Sequence, residues 1–330
     1  MIQAGLQLPN FTFPDRTVDQ LFDTLSDAAQ AADESGFDSL FVMDHFFQLP
    51  MLGPPELEML EAYTLLGALA ARTENVDLAT LVTGVTYRNP ALLAKILTTL
   101  DVVSKGRAIL GIGAAWYAEE HQALGFEFPK GSVRYEKLED ALNICRSMFT
   151  QRQTTFEGKH TSVTGAWNSP PPVRPGGPPI MVGGAGERHT LRLAAQYADA
   201  SNLNCGFDEV PHKLEVLAGH CATFGRDVAD ISTSVLGTLV IGATHEDAVR
   251  VLSEMLAGRG VDASTLPLDD IDELRKILPR FFVGSPDEVT EQASNLLALG
   301  IDGIVVNMPF QTHDPDAVAL AGRALAAAHK

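Results

Sequence analysis

The chain has 330 residues, of which 45% are hydrophobic and 20% charged, and a formal net charge of −18. That acidity excludes nucleic acid and an anionic membrane surface as partners, because nothing repays counterion release without a basic face. Cys145, Cys205 and Cys221 are odd in number and lack C-x-x-C spacing, which excludes a disulfide framework or zinc ribbon, and with no run long enough to span a bilayer the expected location is cytoplasmic.

Residues 5–8 read as a first strand, ending at Pro9-Asn10. Thr17-Val18-Asp19-Gln20 has the capping-box form, so a helix is expected there. Val18, Leu21, Phe22, Leu25, Ala28, Ala29 and Ala32 recur at three and four residues and give it one buried stripe. Gly36 ends it, since glycine adopts the left-handed conformation without a Cβ penalty. A second strand follows at residue 39. It is apolar throughout and runs into Asp44, His45 and Phe46. Strands of this kind are normally buried on both faces in a parallel sheet.

The unit recurs. Leu299-Gly300-Ile301-Asp302-Gly303-Ile304-Val305-Val306 echoes Ser35-Gly36-Phe37-Asp38-Ser39-Leu40-Phe41-Val42, and Tyr197-Ala198-Asp199-Ala200-Ser201-Asn202 is a weaker copy. Repeated αβ units imply parallel strands with crossover helices. Helices over 61–72, 90–104 and 135–149 and strands over 76–82, 107–112, 180–182, 200–203, 234–241 and 303–306 complete the alternation, with further helices near 246–257, 271–278 and 286–299. Residues 151–178 are polar and rich in Pro and Gly, with a small hairpin expected from Thr154-Thr155-Phe156 and Thr161-Ser162-Val163. This stretch reads as an insertion after strand four that covers the mouth of the fold. Eight strands alternating with helices predict one (β/α)8 TIM barrel over residues 1–330. An open doubly wound sheet would want a glycine fingerprint after strand one, and Leu8-Pro9-Asn10-Phe11 is not one.

In such a barrel the carboxyl ends of all strands meet at one mouth. The residues expected there are Asn10, Asp44 and His45, Thr83-Gly84-Val85, Gly113-Ala114-Ala115-Trp116, Gly183-Gly184-Ala185-Gly186, Asn204 with Cys205, and Asn307. No Lys stands at a strand end, which weakens a Schiff-base reading. The set holds no carboxylate cluster and no His-x-His, so no metal is expected. Glycines, amides, one imidazole and aromatics suit a flat cofactor. Gly183-Gly184-Ala185-Gly186 before a helix start either binds phosphate through free N–H groups or only caps the element. Gly111-Ile112-Gly113 either lets backbone approach a ligand or serves barrel packing. Asp44 and His45 point to opposite sides of their strand, so only one can face a ligand. His45 is the candidate, because imidazole titrates near neutrality. Glu119-Glu120-His121 reads as a solvated face, Cys205 as small and buried, Tyr117 as core and Trp116 as a pocket wall. Arg188, His189 and Arg192 either counter anionic groups or decorate a helix.

On Asp44-His45-Phe46, Thr83-Gly84-Val85 through Asn89-Pro90, Leu110 through Tyr117, and Gly183-Gly184-Ala185-Gly186, the whole chain resembles the luciferase-like monooxygenase family. Asp-His-Phe after strand two resembles the branch that uses the deazaflavin coenzyme F420, whereas the FMN branch more often shows a Glu-His-His type sequence. The resemblance implies F420 across the mouth, with Gly84-Val85 as a bulge under its ring that carries a non-proline cis peptide in relatives. It further implies Asp44, His45, Thr83, Gly84, Val85, Gly113, Ala114, Ala115 and Gly183 to Gly186 around the cofactor, the last four at its phosphate. Asn10, Phe46, Trp116 and Asn204 would line the substrate pocket, and His45 would be catalytic. One departure stands out: sugar-phosphate dehydrogenases of this branch carry a proton-donor Glu where this chain has Trp116. With Phe46 and Tyr117, Trp116 implies a flatter, more apolar small-molecule substrate. The resemblance also implies a homodimer. The implied function is F420-dependent hydride transfer; the alternatives are an FMN-dependent monooxygenase with a separate reductase and a catalytically silent F420-binding protein.

Overall fold

The computed structural model describes residues 2–330. Its strands are β1 (Ala4–Leu8), β2 (Ser39–Val42), β3 (Asp77–Thr80), β4 (Thr83–Gly84), β5 (Leu110–Gly113), β6 (Gln153–Phe156), β7 (Val163–Trp167), β8 (Ile180–Gly183), β9 (Ala200–Leu203), β10 (Ser232–Ile241), β11 (Phe281–Gly284) and β12 (Gly303–Asn307). All but the β6–β7 hairpin belong to one parallel sheet in the order β3-β2-β1-β12-β10-β9-β8-β5-β4. The seam between β3 and β5 is joined by the parallel bridge Leu78–Ala108, with Leu78 N–H on Arg107 O and Ile109 N–H on Leu78 O. The sheet therefore closes into a (β/α)8 TIM barrel built from β1, β2, β3, β5, β8, β9, β10 and β12, the eight strands expected from the sequence.

The helices are α1 (Leu21–Ser35), α2 (Ala62–Ala70), α3 (Pro90–Val103), α4 (Ala118–Leu124), α5 (Gly131–Thr150), α6 (Thr190–Tyr197), α7 (Val210–Thr223), α8 (His245–Ala257), α9 (Ile271–Ile277), α10 (Pro286–Leu297) and α11 (Pro315–Ala328). The Thr17 segment opens with a single 3-10 turn before α1, and the Gln20 side chain accepts from Thr17 N–H at 3.1 Å. Gly36 sits at φ 107° as the left-handed cap, pressed against Ala326 of α11. The apolar stripe of α1 is buried at Leu21, Leu25, Ala28, Ala29 and Ala32. The main core lies between strands and helices, and a smaller cluster of Ile2, Phe41, Ala79, Ile109, Met181, Ala200 and Val305 fills the barrel interior.

Several features depart from the sequence reading, and α7, α11 and β4 were not among the expected elements. β11 was not expected. β10 has ten residues, and β9 pairs only with its first half, Ser232–Val235. The remaining half would be left with an unpaired edge, and β11 fills it along Thr238–Ile241. The 151–178 insertion does not cover the mouth; it runs along the outer flank. Asp140, midway along α5, accepts the N–H groups of Lys159, His160 and Thr161 at the hairpin tip. Asp101, near the end of α3, accepts those of Val173 and Arg174, and Arg174 pairs with Asp77 at the start of β3. Backbone N–H groups must find acceptors, and these two carboxylates draw the segment down the barrel side, away from the mouth.

Arg107, before β5, closes the end of the barrel opposite the mouth. Its guanidinium donates to the carbonyls of Ser104, Thr73, Val76 and Ala70 at 2.6–3.0 Å. Arg107→Met strands these acceptors and should destabilise the fold by about 2–3 kcal/mol. Urea denaturation should show that loss, with ligand binding at the far mouth unchanged.

Candidate active site

His45 follows β2 and projects at the mouth, its side chain 14% exposed. Its Nδ1 lies 3.1 Å from Oε2 of Glu120, whose side chain is fully buried. Glu120 also accepts from the Tyr87 hydroxyl and from the N–H groups of Phe46 and Phe47. The imidazole is T-shaped against Trp116 and Tyr117 at centroid distances of 5.7 and 6.0 Å, and those two rings stack on each other.

Asp44 faces the other way. Its fully buried carboxylate takes a bidentate pair from Arg88 at 2.6 and 2.9 Å. Arg88 also donates to Glu61 and lies 4.7 Å over the ring of Tyr63. Asp44 therefore sits beneath the mouth as an anchor for the chain around residue 88.

The chain between β3 and β4 forms the floor. Leu81 and Val82 are partly exposed and top the interior apolar cluster, and the peptide bond between them is cis. The sequence reading set Gly84 and Val85 under the ring, with the cis bond there. Both are buried instead, Gly84 against Tyr87 and Val85 in the main core. Thr83 is buried too, bonded to Tyr63 at 2.6 Å and Thr80 at 2.8 Å. From inside the barrel Gln7 donates to Leu81 O at 3.0 Å and accepts from Asn307, which accepts from Thr238. The strand glycines accommodate this floor. A Cβ on Gly111 would lie 2.0 Å from Thr80 O, and one on Gly113 or Gly183 within 2.9 Å of the Val82 methyls.

Next to the floor the Gly183–Gly186 turn leads into α6. Gly184 sits at φ 122° and gives its N–H to Asn202 O. The N–H groups of Ala185 and Gly186 have no acceptor among the described residues. A Cβ on Gly186 would stand 3.0 Å from Thr190 Oγ1 and 3.4 Å from the Tyr135 hydroxyl, which bond each other at 3.2 Å. Ala114 gives its carbonyl to Arg134, and Ala115 holds a left-handed φ of 58° that turns the chain toward Trp116. Trp116 is 53% exposed. Phe46 packs on Tyr87 and Phe126, and exposed Asn204 accepts from Arg280. Asn10 holds Thr12 O through its amide nitrogen and keeps Oδ1 buried and unpartnered.

The family model described as luciferase-like monooxygenase matches residues 2–303. The chain belongs to this family. It is 35% identical over 302 residues to an F420-dependent glucose-6-phosphate dehydrogenase of Nakamurella multipartita, covering 86% of each chain. A Microbacterium testaceum protein of the same name is 29% identical over 299 residues, covering 86% of this chain and 87% of that one. Among solved structures the family fold recurs in an F420-dependent secondary alcohol dehydrogenase bound to an F420-acetone adduct, at TM-score 0.74, 18% identity and coverages of 97% and 99%. It recurs also in an FMN-bound type II Baeyer-Villiger monooxygenase of Pseudomonas putida, at TM-score 0.76, 21% identity and 98% of each chain.

Sequence reasoning missed Glu120, Tyr87 and Arg88, and it set Glu120 and His121 on a solvated face. Both are fully buried; only Glu119 faces water. The available signal was spacing: Glu120 and His121 lie three and four residues after Tyr117, on the face of α4 that Tyr117 turns inward. His121 bonds Tyr117 O and Thr86 and stacks on Tyr87. Among the described residues no group of three or more His, Cys, Asp or Glu could hold a metal. Cys205 is buried, its thiol pushed up to about 11 by that burial, so it is no nucleophile at neutral pH.

Two electrostatic consequences can be measured. Burial alone would raise the carboxyl of Glu120, but the hydrogen bonds from His45, Tyr87 and Phe47 N–H outweigh it and hold it below the usual glutamate value of 4.5. The stability this contributes is complete above pH 4.5 and is lost as the pH falls through the lower native value. In urea titrations the acid-side loss should shrink in Glu120→Gln. Arg88→Met leaves Asp44 buried without its partner and should cost about 3–5 kcal/mol. Calorimetry would register this as a lower Tm, and replacing Asp44 with Asn in the same chain should recover part of it.

Proposed function

We propose that the chain is an F420-dependent oxidoreductase that moves a hydride between the coenzyme and a small, largely apolar alcohol or carbonyl compound. The observation that carries this reading is His45 on its buried carboxylate, beside an apolar floor, in a chain 35% identical to a dehydrogenase named for F420. The residues suit the coenzyme. Leu81 and Val82 offer a planar ring an apolar surface, while the unpartnered amides of Ala185 and Gly186 and the hydroxyls of Thr190 and Tyr135 suit a phosphate. When bound, the 5-deazaflavin supplies a two-electron hydride acceptor or donor and is a poor one-electron carrier.

The protein's share is orientation, exclusion of water and movement of one proton. His45 handles that proton at the substrate oxygen, within reach of the stacked Trp116 and Tyr117. By the resemblance, Trp116 takes the place of the proton-donor Glu of the sugar-phosphate enzymes, and its large exposed ring favours an apolar substrate over glucose 6-phosphate. The buried free thiols of Cys145, Cys205 and Cys221 suit a reducing, cytoplasmic location, and no helix among the described residues is long and apolar enough to cross a membrane.

We also read the groove between α2 and α3 as the seat of a second copy. Gly67, Ile96 and Leu100 line it, and Leu92 and Val103 stand exposed on α3. Val103→Asp should convert a dimer to a monomer in sedimentation velocity. For the main reading, F420 titrated into the protein should change its fluorescence and saturate, and FMN should bind more weakly. His45→Ala should retain F420 binding and lower kcat on the order of 10²-fold with a responsive alcohol or enone. FMN binding in preference to F420 would favour a monooxygenase. Saturable F420 binding without turnover over a broad substrate panel would favour a silent binding protein.

A further inference from the structure

We propose that Glu120 is the positioning residue of the reaction: it fixes the tautomer of His45, holding a proton on Nδ1 and leaving Nε2 as the proton acceptor at the mouth. The inference rests on the functional reading above, because it assigns His45 the proton that accompanies hydride transfer. Every other group that meets the Glu120 carboxylate is an obligatory or available donor. Phe46 and Phe47 N–H bond Oε1, and the Tyr87 hydroxyl bonds Oε2. The carboxylate is fully buried, so water does not compete for it. His45 Nδ1, 3.1 Å from Oε2, meets an acceptor that carries no proton to offer and has one lone-pair site left beside its three donors. A neutral ring with its lone pair on Nδ1 would face that carboxylate lone pair to lone pair. The bonded arrangement is Nδ1–H, and the proton vacancy falls on Nε2.

This tautomer balances the step. In the oxidation direction the substrate hydroxyl gives its proton to Nε2, the carbinol C–H bond breaks with its electron pair leaving as hydride to the oxidised deazaflavin, and a C=O bond forms. His45 becomes an imidazolium paired with Glu120. In the reverse direction Nε2–H returns the proton to the carbonyl oxygen as hydride arrives at carbon. Trp116 and Tyr117, inclined to the imidazole at 70° and 63°, crowd its rotation away from this pose.

The test is the ¹⁵N imidazole spectrum of the full protein without coenzyme, with the His45 signals assigned by their loss in His45→Ala. In the neutral form Nδ1 should be protonated and Nε2 bare. Glu120→Gln should reverse this. The carboxamide oxygen must stay on the Phe46 and Phe47 N–H groups, so its NH₂ turns toward Nδ1 and drives the ring proton to Nε2. That variant should lose kcat on the order of 10²-fold while the KM for substrate and the Kd for F420 change little. Tyr87→Phe removes one donor but not the histidine contact and should keep the wild-type tautomer. A wild-type neutral ring protonated at Nε2 overturns the assignment, and so does a Glu120→Gln protein that keeps both tautomer and kcat. Were that variant not to fold, the wild-type spectrum alone would decide. The expected tautomer in a protein that turns over nothing with F420 would overturn the functional reading and leave the positioning of His45 by Glu120 in place.

Discussion

The mouth is organised by the way one segment enters the barrel. After β3 the chain does not continue up the wall; it turns inward, so that Val82 fills the space between β5 and β8. Three positions permit this. Any side chain at Gly111 would collide with Thr80 O, and any at Gly113 or Gly183 would collide with the Val82 methyls. Glycine at these positions serves close backbone packing. The inward segment is then tied from below by Gln7 on Leu81 O and by the Thr80–Thr83–Tyr63 hydroxyl chain. An apolar floor stands where an open barrel end would otherwise admit water.

The same segment carries the polar partners of strand two. Tyr87 reaches Glu120 and Arg88 reaches Asp44, so a single excursion of the chain serves two carboxylates on either side of His45. Their environments differ. Asp44 takes the full charge of a guanidinium and is occupied with structure. Glu120 takes only dipolar donors and the imidazole, so its negative charge remains uncompensated by any fixed cation in direct contact. The imidazole at the mouth is the one side chain that meets this carboxylate from the open side, with Nδ1 3.1 Å from Oε2. Strand alternation separates the two roles, since adjacent residues at a strand end must face apart.

Much of this was legible in the sequence, and the limits have physical causes. The eight barrel strands follow from apolar runs of four to five residues between periodic helices, and His45 stood out because so few ionisable groups end a strand. Glu120 was hidden because Glu-Glu-His looks polar, and polarity alone does not distinguish a solvated turn from a satisfied buried carboxylate. Only the three- and four-residue spacing from Tyr117 carried that information. β11 could not be read because Phe281-Phe282-Val283-Gly284 pairs with the overrun of another strand 43 residues earlier in the chain. The path of the insertion was equally hidden. It depends on Asp140 and Asp101, helix residues whose long-range backbone acceptors leave no local pattern.

The arrangement also bears on what the pocket can accept. A sugar phosphate offers many hydroxyls and a dianion, each of which needs a polar partner once desolvated. Around His45 the mouth presents Trp116, Tyr117, Phe46, Leu81 and Val82, and the nearby cation Arg88 is already committed to Asp44 and Glu61. Against such a lining an unpaired polar group costs more than an absent contact, so on the function proposed above selectivity would arise from rejecting polar substrates as much as from attracting apolar ones. A broad indole face can align a flat carbonyl compound beside the imidazole edge through area alone. Few directional contacts are then needed to hold the reacting carbon, provided that the floor and the histidine are both rigid, and both rigidities trace back to the same inward turn after β3.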